Sequence, residues 1–357
     1  MIHKDTLTKE WITKFREEPG LNISDPALIE KMIFALYLLE CLAKQTIDFI
    51  FKGGTSLILI LNESHRFSVD IDIITNVSRE EIESILDEII LDSDFESYKL
   101  DEKRSYENAK IPKAHYFLYY KSNFNNSGNY ILLDLLFQED VYTKTSFTNI
   151  KSSWLKYIEP AVKVKVPTVN AILGDKLTAF APNTTGVPYN RNKEVEIIKQ
   201  LFDISVLIDK ADKYEQVFHA FTKVVNKEIA MREISITGNT VLDDIVDTAY
   251  LIAKREKNKG VELERFNEIR VGLSKITSFI IDRNFRIDEA IEASAKAAWF
   301  AMKLKHRDFS HMDLYNNEID IDSMQIDRIE YNYLNKLKKS NKPAFYYWCK
   351  CLDLMKV

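Results

Sequence analysis

The sequence predicts an α+β protein in two parts: an N-terminal α/β region over residues 1–160 and a helical region over residues 161–357. Three observations predict it. Short apolar runs bounded by turn residues recur as far as residue 137. Beyond about residue 160 such runs become rare, and apolar residues return at intervals of three and four. A chain of 357 residues also has room for two domains at roughly 150 residues each.

Residues 27–44 read as a mostly buried helix, with Asp25 as its cap and Pro26 at its first position. The apolar run Phe49–Phe51 then enters a turn at Gly53-Gly54, as a strand does. Residues 55–61 fit helix or strand by periodicity alone. Val69–Thr75 alternates apolar and acidic residues and reads as a strand. Ser78 and Glu81 form a capping box, and Ile82, Ile85, Leu86, Ile89 and Ile90 follow at helical spacing. Strands are expected at 94–100, 114–121 and 129–137, the last two joined by the turn Asn125–Gly128. Helices are expected at 170–181, 193–209, 213–228, 241–257, 262–282, 286–305 and 323–339, with Gly260 ending one of them. No internal repeat is visible.

Hydrophobic residues make up 46% and charged residues 29%, with 9 Gly and 8 Pro, which excludes a collagen-like or low-complexity chain. Lys+Arg 49 against Asp+Glu 54 leaves a net charge of −5, which excludes a wholly basic nucleic-acid coat protein but not a local basic groove. Cys41, Cys349 and Cys351 make neither a disulfide framework nor a zinc spacing, so reduced thiols are expected. The N-terminus lacks a signal-peptide core. The longest apolar stretch, Met32–Ala43, contains Glu40 and is too short for a bilayer. A cytoplasmic protein without a membrane partner is the expectation.

Chemistry concentrates in residues 51–75, FKGGTSLILILNESHRFSVDIDIIT. On a strand, Asp70 and Asp72 face the same side, about 6–7 Å apart, with Ser68 on that face. Val69, Ile71 and Ile73 take the other face. The two carboxylates repel each other, and a divalent cation relieves the repulsion. Upstream, Gly53 and Gly54 let backbone approach a phosphate, and Thr55, Ser56 and the local N–H groups can donate to its oxygens. Each piece has a plainer reading, the glycines as a turn and the acids as a solvated face. Together, between a strand and a capped helix, they fit metal-assisted nucleotidyl transfer, with the carboxylates on Mg²⁺ and the turn on the triphosphate. Neither the dinucleotide fingerprint nor the P-loop pattern applies.

The run Phe51-Lys52-Gly53-Gly54-Thr55-Ser56-Leu57, followed by His65-Arg66-Phe67-Ser68 and Asp70-Ile71-Asp72, resembles the AbiEii/AbiGii toxin family. That resemblance implies a nucleotidyltransferase domain of the DNA polymerase β superfamily with a mixed sheet, followed by a helical domain. It also implies a toxin of a type IV toxin–antitoxin and abortive-infection system. Ile29-Glu30-Lys31 resembles an upstream Glu-Lys-Asp element, with Met32 in place of the Asp. Lys176-Leu177-Thr178-Ala179 resembles a helical Lys-Leu-x-Ala motif. Lys199 to Ile204 resembles a Lys-Asp-x-x-Asp-hydrophobic motif, with Gln200 for the first Asp. The resemblance spans about residues 29–210, and residues 211–357 match no pattern.

By resemblance, Asp70 and Asp72 are catalytic and hold metal, Gly53, Gly54, Thr55 and Ser56 hold the triphosphate, and Lys176 neutralises its charge. Asp203 then orients that lysine or the attacking group. The plainer readings are a surface lysine and a helix ion pair of Asp203 with Lys199. The superfamily's third carboxylate falls best on Asp134, between Leu132 and Leu136, where an ionised group needs a metal or a basic partner. Glu139 and Asp140 are weaker candidates.

Arg66 and Ser68 flank the acids and join the nucleotide-binding set. Arg66 also reads as an ion-pair partner of Asp70 or Asp72, and His65 as surface. Arg191 and Lys193 read equally as phosphate or RNA contacts and as solvated side chains. Basic and aromatic residues mix at 103–121 (Lys103, Arg104, Lys110, Lys113, His115, Tyr116, Tyr119, Tyr120, Lys121) and at 336–348 (Lys336, Lys338, Lys339, Lys342, Tyr346, Tyr347, Trp348). Such mixtures suit RNA stacking, a solvated strand or a packed helix alike.

The expected reaction moves a nucleoside monophosphate from an NTP to an acceptor hydroxyl, with one or two Mg²⁺ ions. The acceptor implied is RNA, with the tRNA 3′ end leading. The implied partner is an antitoxin encoded nearby, without required contact. The alternatives are a non-catalytic nucleotide- or RNA-binding protein of the same fold and a transferase to a small molecule or protein.

Overall fold

The alternation in the first half of the chain builds a five-stranded mixed sheet. The computed structural model describes residues 1–17, 25–105, 112–139 and 141–356. A short α1 (Lys9–Lys14) precedes α2 (Pro26–Lys44), whose N-cap Asp25 accepts from the Ala27 N–H at 2.9 Å. β1 (Phe49–Lys52) runs directly into α3 (Gly53–Ile60), which settles residues 55–61 as helix. Then follow β2 (Ile71–Thr75), α4 (Arg79–Asp92), β3 (Phe95–Leu100), β4 (Lys113–Tyr120) and β5 (Asn129–Phe137). The strand order is β1-β2-β5-β4-β3; β2 and β5 run parallel and the other neighbours antiparallel. A separate hairpin, β6 (Thr145–Asn149) with β7 (Lys163–Pro167), lies against β1. Sequence reasoning missed it because Ser146, Phe147 and Asn149 are exposed and no apolar alternation marks β6.

The two faces of the sheet differ. Phe51, Ile73, Leu135 and Ala114 form one buried row across four strands, and Leu133 and Tyr116 another. Helices α2 and α4 cover this face. Phe34 of α2 stacks on Tyr120 at 3.8 Å, and the Tyr116 hydroxyl donates to Glu83 of α4 at 2.8 Å. Each such ring buries enough apolar area to contribute on the order of 1.5–3 kcal/mol. Glu30 of α2 is fully buried and accepts from Ser122 and from the Asn123 N–H at 2.7 Å, so it holds the loop after β4.

Contacts divide the chain into two units: a sheet unit, Met1–Thr168 with Ser278–Arg283, and a helical unit, Val169–Thr277 with Asn284–Val357. The helical unit contains α5 (Val169–Ala179), α6 (Glu194–Lys210), α7 (Tyr214–Arg232), α8 (Gly238–Lys254), α9 (Val261–Ile276), α10 (Ile287–Lys305), the short α11 (Leu337–Ser340) and α12 (Lys342–Leu354). Its centre is α10, buried almost throughout, whose alanines admit close neighbours on several sides. No helix among the described residues is long and apolar enough to cross a membrane. All three cysteines are free and buried.

Several expected elements shift for physical reasons. The strand expected at Val69–Thr75 begins only at Ile71, so Asp70 stands just ahead of it. The residues before Asp70 pair elsewhere: the Phe67 N–H donates to the Phe279 carbonyl at 2.7 Å and the Ile281 N–H to that of His65 at 3.0 Å. This pairing also explains why the helix expected over 262–282 ends at Ile276, since residues 278–283 are drawn into the sheet unit. Gly260 does not end a helix; with φ +53° it starts α9. The helix expected at 323–339 is a 3₁₀ helix over Ile329–Lys336 followed by α11. Ahead of it, the Asn335 amide grips the Ile326 backbone on both sides, at 2.8 and 3.0 Å, which occupies the groups a helix would use. The Ser78–Glu81 cap is seen as the Ser78 hydroxyl accepting from the Glu81 N–H at 3.2 Å.

Candidate active site

The site grows from the junction of β1 and α3. Gly53 has φ +76°, a conformation that costs an L-residue about 1–2 kcal/mol. A Cβ there would also overlap the Asp72 carboxylate. Gly54 is as confined, because a Cβ on it would lie 2.5 Å from Arg66 Nη2 and 2.7 Å from Ser68 Oγ. The two glycines thus let the start of α3 press against Asp72, Arg66 and Ser68. The N-cap residue Lys52 contributes no side-chain cap, and the first N–H groups and dipole of α3 place positive partial charge beside Asp72.

Thr55 and Ser56 are fully buried and face inward. The Thr55 hydroxyl lies 2.6 Å from the Asp70 carbonyl and 3.0 Å from Ser68 Oγ, and Ser56 donates to the Gly53 carbonyl at 2.9 Å. The hydroxyls expected on the triphosphate therefore tie the turn to the strand. Arg66, 8% exposed, donates to the Phe67 carbonyl at 3.0 Å. His65 lies 2.6 Å from Asp282 of the returning segment.

Register places Asp134. Asp72 pairs with Asp134 across the parallel β2–β5 ladder, so the two stand side by side on the open face, about 4.8 Å apart by strand spacing. The row continues on both sides, with Lys52 in register with Asp72 and His115 with Asp134. His115 Nδ1 lies 2.5 Å from Asp134 Oδ1, and Arg104 Nη2 lies 3.6 Å from Asp134 Oδ2. Asp134 thus has the basic partners that its setting between Leu132 and Leu136 demands. Glu139 is exposed, and Asp140 lies outside the described residues, as does Lys110.

Sequence reasoning missed three members of this surface: Lys52, His115 as a site residue, and Lys31. Lys31 lies 4.7 Å from the Tyr130 ring centroid. Burial pushes its ammonium below the usual lysine range, and the nearby Asp70 pulls it partly back. The alternation of β4, with His115 two residues from Phe117, was the available signal.

In the helical unit, Lys176 of α5 meets Asp203 of α6 at 2.9 Å and Gln200 at 3.1 Å. Both ions are buried, which excludes the surface-lysine reading. Lys199 pairs with Glu196 at 2.9 Å. Arg191 and Lys193 are exposed; Arg191 lies between Asn190 and Asn192, both at positive φ, and Lys193 follows Asn192. Of the aromatic residues in the two basic stretches, Tyr116, Tyr120, Tyr346, Tyr347 and Trp348 are core; Tyr119 is half-buried.

Among the described residues no three ligand-type side chains are already assembled around a metal position. The donor set nonetheless fits Mg²⁺, which is commonly held by one or two carboxylates completed by substrate phosphates. Asp70 is exposed, and Asp72 borders the start of α3.

Solved structures resemble this chain at low identity. JHP933 from Helicobacter pylori is 15% identical, with 80% of this chain and 96% of that chain covered and a TM-score of 0.44. An antigenic nucleotidyltransferase-like protein from Paracoccidioides brasiliensis is 16% identical, with 57% of this chain and 91% of that chain covered and a TM-score of 0.34. At these scores neither structure assigns a role to a residue here. No curated protein matches. The family model described as nucleotidyl transferase AbiEii toxin, type IV toxin–antitoxin system, matches residues 37–271, well over half of the chain. The chain therefore belongs to the AbiEii nucleotidyl transferase toxin family and is an enzyme of the nucleotidyltransferase class.

Proposed function

We propose that this protein is a Mg²⁺-dependent toxin that transfers a nucleoside monophosphate from an NTP to the hydroxyl of an RNA acceptor, with the tRNA 3′ end leading. The observation that carries the reading is the Asp72 carboxylate packed against Gly53 at the start of α3. Asp70 and Asp72 hold the cation, with Asp134 beside Asp72 as the third carboxylate. When bound, Mg²⁺ supplies Lewis-acid stabilisation of the developing phosphate charge. The first N–H groups of α3 bind the triphosphate, and Lys52 adds positive charge on that flank of the row. The acceptor hydroxyl oxygen forms a bond to the α-phosphorus as the bond to the α–β bridging oxygen breaks; pyrophosphate leaves and the hydroxyl proton is released to solvent. Lys176, oriented by Asp203, is the residue to which the family pattern gives the neutralising role. The antitoxin is a neighbouring gene product that need not touch this chain, and the physiological setting is abortive infection in the cytoplasm.

The test is label transfer from each NTP in turn to total tRNA with Mg²⁺. The expected result is labelled tRNA with the parent protein and none with Asp70→Ala or Asp72→Ala. Equal labelling by the parent and both variants would falsify the reading.

A further inference from the structure

The open face of the sheet carries a second surface that the transfer chemistry leaves unused. Tyr119 of β4 stands in register with Tyr130 of β5, and Phe117 with Leu132. Phe117 and Tyr130 meet edge to face with centroids 4.9 Å apart, and Tyr119 and Tyr130 at 5.9 Å, so the three rings form one group. Tyr130 is 40% exposed, and Phe117 and Tyr119 are half-buried. The neighbouring tyrosines Tyr116 and Tyr120 point into the core, so β4 keeps these two rings outward by strict alternation.

The group lies next to the carboxylates. The Phe117–Leu132 row is two residues from the His115–Asp134 row, roughly 7 Å along the strands. The Gly53 turn, which takes the triphosphate, flanks Asp72 on the β1 side, whereas the rings lie on the β4 and β5 side. Positive charge frames the rings. Lys31 sits 4.7 Å from the Tyr130 centroid, and Lys99 is exposed and in register with Phe117. Rings for bases, flanked by ammonium groups for phosphates, are the two components of single-strand binding surfaces.

We infer that Phe117, Tyr119 and Tyr130 form a stacking platform for the unpaired bases of a single-stranded nucleic-acid acceptor, with Lys31 and Lys99 facing its phosphates. The inference rests on the transferase reading and adds the acceptor's position and form. Stacking uses the π-face that every base has, so the platform tolerates any sequence but requires unpaired bases.

The probe is a 5′-fluorescein-labelled, ten-nucleotide RNA of mixed sequence, titrated with the full chain without NTP or metal and followed by anisotropy. Phe117→Ala and Tyr130→Ala are each expected to weaken binding about tenfold. Tyr130→Phe keeps the ring and should hold affinity within about twofold. Tyr130→Leu keeps apolar bulk without the ring and should weaken binding as Ala does, which separates stacking from loss of fold. Lys99→Ala should lower the slope of affinity against salt by about one unit. Calorimetry with each NTP and Mg²⁺ follows the same variants and should show unchanged nucleotide affinity. RNA affinity unchanged in both Tyr130→Ala and Tyr130→Leu overturns the platform, as does a parent protein that binds no RNA or labels only a protein or small molecule. Those results leave the dependence of transfer on Asp72 standing. Conversely, an Asp72→Ala variant with full transfer sinks the chemistry and leaves the binding result untouched.

Discussion

Two charged arrangements in this protein differ in one respect, access. In the sheet unit, Asp72 and Asp134 stand in register on a half-open face, with Lys52, His115 and Arg104 spaced around them. In the helical unit, Lys176 and Asp203 are buried in direct contact at 2.9 Å. An ion pair out of water returns its desolvation cost only through near-ideal partners, and losing one partner strands the other. Asp72 and Asp134 are partly exposed, so a ligand can reach them from solvent. The first arrangement is built to be completed from outside; the second is already complete.

The strongest way to break this contrast is to remove a carboxylate from each. Asp72→Ala is expected to lower transfer about a thousandfold, equivalent to about 4 kcal/mol, while thermal unfolding stays near that of the parent. Asp203→Ala should do the reverse in kind, destabilising the fold by about 3 kcal/mol by stranding Lys176, as read from the denaturant midpoint. A double change, Lys176→Met with Asp203→Leu, should recover most of that stability without recovering transfer. Recovery of both would mean that the pair serves structure alone.

Gly53→Ala comes next. The positive φ costs about 1–2 kcal/mol, and the new methyl displaces Asp72, so stability falls modestly and transfer falls with it. Transfer unchanged in a destabilised variant would separate the turn from the chemistry. The smallest effect is a charge in the helical unit. Burial, then the like charges of Asp244, Asp243 and Glu262, pushes the Asp247 carboxyl above the usual aspartate range. A raised folded-state pKa contributes stability that is full below the ordinary aspartate value and is lost as pH rises through the raised one. Asp247→Asn should therefore gain about a few tenths of a kcal/mol at neutral pH, after solvent screening, and nothing below about pH 4. Melting curves at the two pH values check the sign.

Legibility in the sequence followed the range of the interaction that decides each feature. The Gly53-Gly54 turn, the Asp25 and Ser78 caps and most helices were readable because a cap or a period is written within a few residues. The roles of Thr55 and Ser56 were read outward although both hydroxyls point in, because spacing does not tell which side of a turn is covered. The ends of β2 and α9 were misplaced together, since residues 65–67 and 279–281 pair across more than two hundred positions. Phe117 and Tyr130 went unnoticed because only the hairpin register brings them together.

The sequence by itself determined the motif, the acids at 70 and 72, the order of most elements and the family. These are local patterns of hydrophobic period, capping and backbone freedom, and they survive without knowledge of neighbours. Only the tertiary structure decided that Asp134 stands beside Asp72, that His115 and Arg104 hold it, and that Lys176 is sealed against Asp203. Strands β2 and β5 are separated by about sixty residues of chain, and their register is set by which apolar row packs against α2 and α4. Alternation within each strand fixes which side chains share a face, but a slip of two residues keeps every face and would part Asp72 from Asp134, so neither strand alone contains the register.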